Sequence, residues 1–274
     1  MKRSRNLTRA EWDAIVEEGP GMRMWKGKMT LFYNGEKLFD DENREYLMYS
    51  KEQRESWEVM IVLPRVKVIP GFTFSYCKNV KTVIMSDSVK RIEGAVFSSC
   101  ESLEYVRLSR NLERIGIMAF SFCKSLTSIF IPPSCRQITS AFCGCTKLII
   151  LSVPQHTELG ENVIAATALI EASPFRTESL GNYKNQEEVN AWIKNILQGD
   201  EFALHRKCSA VNPPLENDLV AILKEQGLPG RDTWRKPNSI GVTPLEYLEA
   251  NPYVEIDEEK ILKKFILEMM GEVV

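Results

Sequence analysis

Apolar residues in the middle of the chain recur in blocks of about 23 residues. In each block an aliphatic residue is followed at nearly fixed spacing by a phenylalanine, a cysteine and a leucine or valine, as in Ile115, Phe120, Cys123 and Leu126. The cysteines of successive blocks lie 23, 23 and 22 residues apart (77 to 100, 100 to 123, 123 to 145). Such a period is typical of a solenoid, because a unit this short buries its apolar side chains only by stacking on its neighbours.

Each block continues with a short stretch in which apolar residues alternate with other residues. The alternating pairs are Val83 and Met85, Val106 and Leu108, Ile129 and Ile131, and Leu151 and Val153. Alternation with a period of two predicts a strand that buries one face. The sequence therefore predicts an α/β solenoid over residues 57–174 with a strand in each unit.

The phenylalanine and cysteine of each block are predicted to form a ladder in the structural core. Its members are Phe74, Phe97, Phe120, Phe142, Cys77, Cys100, Cys123 and Cys145. Free cysteine is a common small core residue. The total of seven cysteines is odd, which favours reduced thiols over a closed disulfide framework.

Residues 1–56 are predicted to cap the front of the array, whose end would otherwise expose its core. Thr8 and Glu11 have the spacing of a capping box, which predicts a helix that runs to about Glu18. After it, the sequence Asn34-Gly35 between two apolar stretches predicts a hairpin, with residues 29–33 and 37–39 as its strands.

Residues 175–274 have a helical period. Helices are expected around residues 189–197, 215–223 and 261–269, where apolar residues recur at helical spacing. Two segments, residues 202–208 and 241–245, resemble the start of an ankyrin repeat, although Leu204 and Leu245 lie 41 residues apart instead of the roughly 33 of that family. The alternative is a small helical cap packed on the end of the solenoid.

Charge and hydropathy exclude some classes of function. The formal net charge is -2, with 35 basic against 37 acidic residues, so nucleic acid is not expected as a partner. No apolar run approaches the roughly 20 residues that cross a bilayer, and the basic start of the chain is not followed by an apolar stretch like that of a secretion signal. We therefore expect an intracellular, cytoplasmic protein with reduced thiols and no membrane contact.

The repeat resembles the BspA-type leucine-rich repeat, whose units have the form I-x-x-x-A-F-x-x-C-x-x-L-x-x-I-x-I-P. Residues 115–132 match this form at Ala119, Phe120, Cys123, Leu126, Ile129, Ile131 and Pro132. The resemblance covers about residues 57–154 and implies a curved solenoid with a sheet along one face. It also implies an adhesion or protein-binding role. Many members are surface proteins, and the absence of a recognisable secretion signal departs from that pattern.

Candidate chemistry outside the repeat is sparse. His205 has the place of a structural histidine that bonds the backbone in an ankyrin-like unit, and His156 follows a turn. Cys135, Cys143, Cys145 and His156 form an imaginable zinc set, but the spacing of Cys143 and Cys145 is unusual for a structural site. No catalytic, cofactor or metal residue is therefore predicted, and an enzyme or metal protein is kept as the less favoured alternative.

Side chains between the buried strand positions are predicted to point outward and to bind a partner. The candidate partner-binding residues are Ile84, Tyr105, Arg107 and Phe130. Aromatic residues and arginine supply much of the binding energy at protein interfaces. The sequence thus predicts a non-catalytic scaffold or adaptor that binds another protein, with carbohydrate or cell-surface adhesion as an alternative. A competing expectation is that terminal segments fold over this face.

Overall fold

The computed structural model describes residues 7–35, 49–176, 186–198, 202–210 and 234–254. The helices expected around residues 215–223 and 261–269 lie outside these ranges, as does the predicted strand at residues 37–39. Within the described part of the chain, no helix is long and apolar enough to cross a membrane.

Twelve strands and six helices make up the described structure. The helices are α1 (Arg9–Glu18), α2 (Lys51–Ser56), α3 (Ala168–Glu171), α4 (Gln186–Asn195), α5 (Ala203–Cys208) and α6 (Pro244–Ala250). The strands of the first side of the solenoid are β1 (Gly21–Trp25), β2 (Lys28–Tyr33), β3 (Val59–Val62), β5 (Thr82–Met85), β7 (Tyr105–Arg107), β9 (Ser128–Phe130) and β11 (Ile150–Ser152). Those of the second side are β4 (Val68–Ile69), β6 (Arg91–Ile92), β8 (Arg114–Ile115), β10 (Gln137–Ile138) and β12 (Glu158–Leu159).

The chain coils as a solenoid in which equivalent residues of successive units lie side by side. Val83 pairs with Met60 on one side and with Val106 on the other, in parallel strands. The second side repeats the arrangement, with Ile92 between Ile69 and Ile115. The predicted solenoid and the predicted strand register are both confirmed.

The interior of the coil holds a continuous stack of phenylalanine rings. The centroids of Phe74 and Phe97 are 5.5 Å apart, those of Phe97 and Phe120 are 5.2 Å apart, and those of Phe120 and Phe142 are 5.7 Å apart. The four cysteines of the ladder are also fully buried. Three of their thiols donate hydrogen bonds to phenylalanine carbonyl oxygens of the preceding coil, at 3.3 Å for Cys100, 3.2 Å for Cys123 and 3.0 Å for Cys145.

The N-terminal segment extends the first sheet. Helix α1 begins at a capping box of Thr8 and Glu11 and is followed by Gly19, as expected. The predicted hairpin is wrong: β2 pairs antiparallel with β1 through a turn at Lys26-Gly27, and its other edge pairs parallel with β3. Both edges of β2 are therefore occupied by strands among the described residues.

Helices follow the last coil. The helix expected around residues 189–197 is present as α4. Helix α6 begins at a second capping box, formed by Thr243 and Glu246. His205 of α5 is buried, and its Nε2 lies 3.1 Å from the carbonyl oxygen of Val242 just before α6. This contact joins the two ankyrin-like segments, and their membership of that family stays a prediction.

Candidate functional site

The first part of the outer sheet face, where Ile84 lies, is covered by helix α1. Ile84 belongs to an apolar cluster with Ile15 of α1 and Ile61 of β3, and Trp12 packs against that cluster. Only 1% of Ile84 is exposed. The prediction that Ile84 is exposed for binding is therefore wrong: it does point out of the solenoid core, but the apolar side of α1 buries it.

Arg107 lies beneath the C-terminal segment. Its Nη1 donates to Asp87 Oδ1 at 2.9 Å and to the carbonyl oxygen of Met85 at 2.5 Å. The ring centroid of Tyr253 is 5.6 Å from the guanidinium carbon. The positive charge of Arg107 is thus paired with groups of its own chain. The predicted exposure of Arg107 is therefore wrong as well.

Asp87 is the counter-charge for this arginine. Burial by itself would raise the pKa of Asp87, but hydrogen bonds and charge from Arg107, helped by the backbone N–H and charge of Arg110, lower it below its ordinary value. Asp87 therefore stays ionised at neutral pH and fixes Arg107 against the sheet.

The remaining two predicted residues lie in the same covered region. Phe130 is 1% exposed and belongs to the main apolar core together with Tyr253 and Val254. Tyr105 is half-buried and donates its hydroxyl to the carbonyl oxygen of Pro252 at 3.4 Å. The predicted exposure of Phe130 is thus wrong, and the competing expectation, in which terminal segments cover this face, describes the molecule.

The third side of the solenoid consists of stacked turns, and two columns of residues along it form what we call the turn face. The first column is Phe72, Ala95, Met118, Ser140 and Asn162, and the second is Tyr76, Ser99, Phe122, Gly144 and Ala166. All ten residues have a positive φ, between 42° and 76°. Each column therefore places one residue of every coil in the left-handed region, which most side chains avoid.

Hydrogen bonds between coils fix this backbone shape. In the second column the N–H of Tyr76 donates to Ser98, that of Ser99 to Ser121 and that of Phe122 to Cys143, each at 2.8 Å to the carbonyl oxygen. Such a ladder satisfies backbone groups that would otherwise be left without partners. The positive φ is thus imposed by the stacking and is independent of which side chain occupies the column.

Large side chains at these positions are costly for the fold. A left-handed conformation costs a residue with a Cβ roughly 1–2 kcal/mol, and glycine or asparagine adopts it more readily. Burial of the side chain offsets only part of this free-energy cost for Tyr76, Met118 and Phe122, because 51%, 42% and 44% of these residues stay exposed. Stability alone does not account for these three side chains.

The turn face is apolar and uncharged. Phe72 and Ile117 are also largely exposed, so five large apolar residues lie on this side of the solenoid. Neither column contains a charged residue, whereas Lys78, Glu101 and Lys124 follow one another along its edge. An exposed apolar patch bordered by polar residues is typical of an interaction site.

Sequence reasoning missed the turn face, although its residues stand two positions before and two after the ladder phenylalanines. The period of 23 aligns Tyr76, Ser99 and Phe122, but hydrophobic periodicity gives no sign of a positive φ. The visible clue was the alternation of large and small residues at positions that the core pattern leaves unassigned.

The candidate zinc residues do not form a site. Among the described residues, no three His, Cys, Asp or Glu side chains lie together in a way that would hold a metal ion. Cys145 is buried in the ladder, where its thiol donates a hydrogen bond to the carbonyl oxygen of Phe120. Burial raises the pKa of Cys135 to about 11, which disfavours the thiolate that binds a metal. His205 is used in joining α5 to the segment before α6, as the sequence predicted.

Comparison with known proteins identifies the repeat. Residues 59–184 match the model of the BspA type leucine rich repeat region in six copies. No curated protein matches the chain. Among solved structures, a leucine-rich repeat protein of T. pallidum is 19% identical, with a TM-score of 0.36 over 50% of this chain and 71% of that one.

Two further solved structures are similar over about half of this chain. A leucine-rich repeat protein from Bacteroides ovatus is 18% identical, with a TM-score of 0.27. The aligned region spans 54% of this chain and 48% of that protein. A leucine-rich cell surface protein from Faecalibacterium prausnitzii is 20% identical, with a TM-score of 0.32. The aligned region spans 54% of this chain and 45% of that protein. The chain thus spans less than half the length of these two proteins.

Proposed function

Since residues 59–184 belong to the BspA-type leucine-rich-repeat family, we propose that this chain is a non-catalytic interaction module that binds protein through its turn face. A scaffold or adaptor role follows from this, because a solenoid holds many side chains in fixed register along one extended surface.

One observation carries the proposal: Tyr76 and Phe122 are half-exposed aromatic residues in a left-handed backbone conformation. Their equivalents in the neighbouring coils are Ser99 and Gly144, which fit the same backbone with less strain or less exposed apolar area. Tyrosine and other aromatic residues dominate the energetic centres of protein interfaces. Binding gives these side chains the burial that the folded chain does not.

The sheet face is a poorer candidate than the turn face. Ile84 and Phe130 are buried within the molecule, and Arg107 already has a carboxylate and a carbonyl oxygen as partners. A partner would have to displace α1 or the segment around Tyr253 before it reached them.

The test is capture of binding proteins from extract of the native cells with three forms of the full chain. The turn-face variant is Tyr76→Ser with Phe122→Ser. Serine already occupies the equivalent position 99 of the same column. The control is Val16→Ser with Met24→Ser, since these side chains are also exposed and apolar but lie outside the turn face. We expect a protein that is retained by the wild type and the control and lost by the turn-face variant. Retention of the same proteins by all three forms would contradict the proposal.

A further inference from the structure

We infer that the second side of the solenoid binds an acidic segment of another protein through exposed basic side chains. These side chains stand on or just before strands β4, β6, β8 and β10, outside the turn face, so the inference goes beyond the proposed function. We call this surface the basic face. Its cations come from four successive coils, and all of them are exposed: Lys67, Lys90, Arg91, Arg114 and Arg136.

Two arginines lie side by side at the centre of the basic face. Arg91 of β6 pairs in parallel register with Arg114 of β8. Neighbouring strands are about 4.8 Å apart, and like charges placed opposite each other in a sheet are destabilising. This pair of charges therefore works against the fold, and an anion bound between the two guanidinium groups would remove the repulsion.

Acidic residues of the same coils neutralise only part of the positive charge. Lys90 Nζ lies 2.7 Å from Glu113 Oε1, and Arg91 Nε lies 3.6 Å from Glu93 Oε1. Within the part of the chain that the structure describes, Arg114 forms no ion pair. A guanidinium at the centre of the basic face is thus available to an anion from outside.

Glu113 shows that these cations hold a carboxylate. The hydrogen bond and charge of Lys90, helped by the charges of Arg136 and Arg91, lower the pKa of Glu113 below its ordinary value. Opposite charges nearby favour the ionised form of a carboxyl group in this way. We expect a carboxylate of the partner to be held next to Arg114, because arginine binds carboxylates through two parallel hydrogen bonds.

The composition of the basic face favours a protein segment over other polyanions. The residue pairs that carry its cations, 67–68, 90–91, 113–114 and 136–137, contain no aromatic residue, whereas single-stranded nucleic acid is bound largely by stacking on aromatic rings. Glu93 and Glu113 interrupt the positive charge and would repel a chain with a phosphate or sulfate on every unit. A protein segment with a few carboxylates can place them against the arginines and avoid both glutamates.

The charge of the surface also gives the position of the acidic segment. In the strand register, Arg114 is followed by Gln137 in the next coil and by Glu158 in the last one. The positive charge is therefore strongest over β6 and β8 and ends at β10. An acidic segment is held over β6 and β8 and is repelled by Glu158 at the far end.

The experiment measures binding of the full chain to a fluorescent peptide of alternating Glu and Ser residues by anisotropy at low salt. A peptide of alternating Gln and Ser is the uncharged match. The test variant is Arg91→Gln with Arg114→Gln. The control is Arg9→Gln with Arg176→Gln, which removes two charges from exposed arginines in α1 and after the last coil.

We expect the wild type and the control to bind the Glu-Ser peptide and not the Gln-Ser peptide, with a dissociation constant at least about fivefold higher in the test variant. Glu113→Gln should lower the dissociation constant, because it frees Lys90 and removes a repelling carboxylate. The thermal midpoint of the test variant should not fall, since the substitution removes a repulsion; a purely structural role of the arginines would lower it.

No binding of the Glu-Ser peptide by the wild type, or equal affinities of the test variant and the control, would overturn the inference. Tighter binding of an oligonucleotide or a sulfated oligosaccharide of equal charge, lost in the test variant, would overturn the assignment to a protein segment. The Tyr76→Ser, Phe122→Ser variant should bind the peptide like the wild type, so failure of this inference leaves the proposed function of the turn face in place.

Discussion

The ring of Phe122 lies directly against Gly144 in the next coil, where a Cβ atom would come within 2.6 Å of the ring carbon Cδ1. Gly144 also has a φ of 76°, so a side chain is disfavoured there by both strain and space. The position of the exposed ring thus depends on a glycine 22 residues away, the unit spacing at this point of the array.

Replacing this glycine tests that relationship. We predict that Gly144→Ala lowers the free energy of unfolding by about 1–2 kcal/mol from the left-handed backbone, with a further loss from the contact with Phe122. Denaturant unfolding measures the loss. In the Phe122→Ser background the contact is absent, so the same substitution should cost less; an equal cost in both backgrounds would show that the ring does not lie on Gly144.

The internal ladder predicts a large contrast between two phenylalanines that are two residues apart in the sequence. Phe120 is fully buried and Phe122 is half-exposed. We expect Phe120→Ala to lower the free energy of unfolding by about 3–5 kcal/mol, through lost burial and a cavity, whereas Phe122→Ala should change it much less. Urea titration of both variants measures the contrast, and similar losses in the two would mean that the coil is rotated relative to this register.

Asp87 makes the stability of the sheet face dependent on pH. Because the folded state lowers the pKa of Asp87, the stabilisation is present above the ordinary pKa of the carboxyl and is lost as the pH falls through the folded value. We predict that Asp87→Asn costs about 1–3 kcal/mol at neutral pH, since it leaves the buried Arg107 without a charged partner. The difference from wild type should shrink below about pH 4. A difference that does not change with pH in unfolding experiments would contradict the role of this ion pair.

Helix α1 is predicted to be a separable cover on the outer sheet face. Ile15 is 2% exposed, whereas its neighbour Val16 is 50% exposed. Ile15→Ala should raise the rate of amide hydrogen exchange in α1 and leave exchange around Phe120 unchanged, because local opening of a peripheral element needs less energy than global unfolding. Val16→Ala is the matched control. Protection of α1 that is the same in both variants would indicate that the helix is not held by the apolar cluster with Ile84.

The repeat was predictable because its information is local and periodic. Phe97 and Cys100 could be placed in the core from their spacing alone, and the capping box of Thr8 and Glu11 is a local signal for a helix start. The cover over Arg107 was not predictable in this way, because it depends on contacts such as that from Tyr105 to Pro252, 147 residues later.

The turn face was missed for a different physical reason. Its left-handed residues result from hydrogen bonds between coils, such as that from Phe122 to Cys143, and these exist only once the coils are stacked. The hairpin was misplaced because Asn34-Gly35 is the stronger turn signal, while Lys26-Gly27 forms the turn and the edges of β2 are taken by β1 and β3.

Binding of protein through the turn face is tested most directly by capturing proteins from extract of the native cells with the wild type and with the Tyr76→Ser, Phe122→Ser variant, both shown to be folded by circular dichroism. We predict that a protein retained by the wild type is lost by the variant, because the half-exposed rings of Tyr76 and Phe122 are of the kind that supplies much of the binding energy at protein interfaces. Retention of the same proteins by both forms would contradict the claim that the turn face is the binding surface.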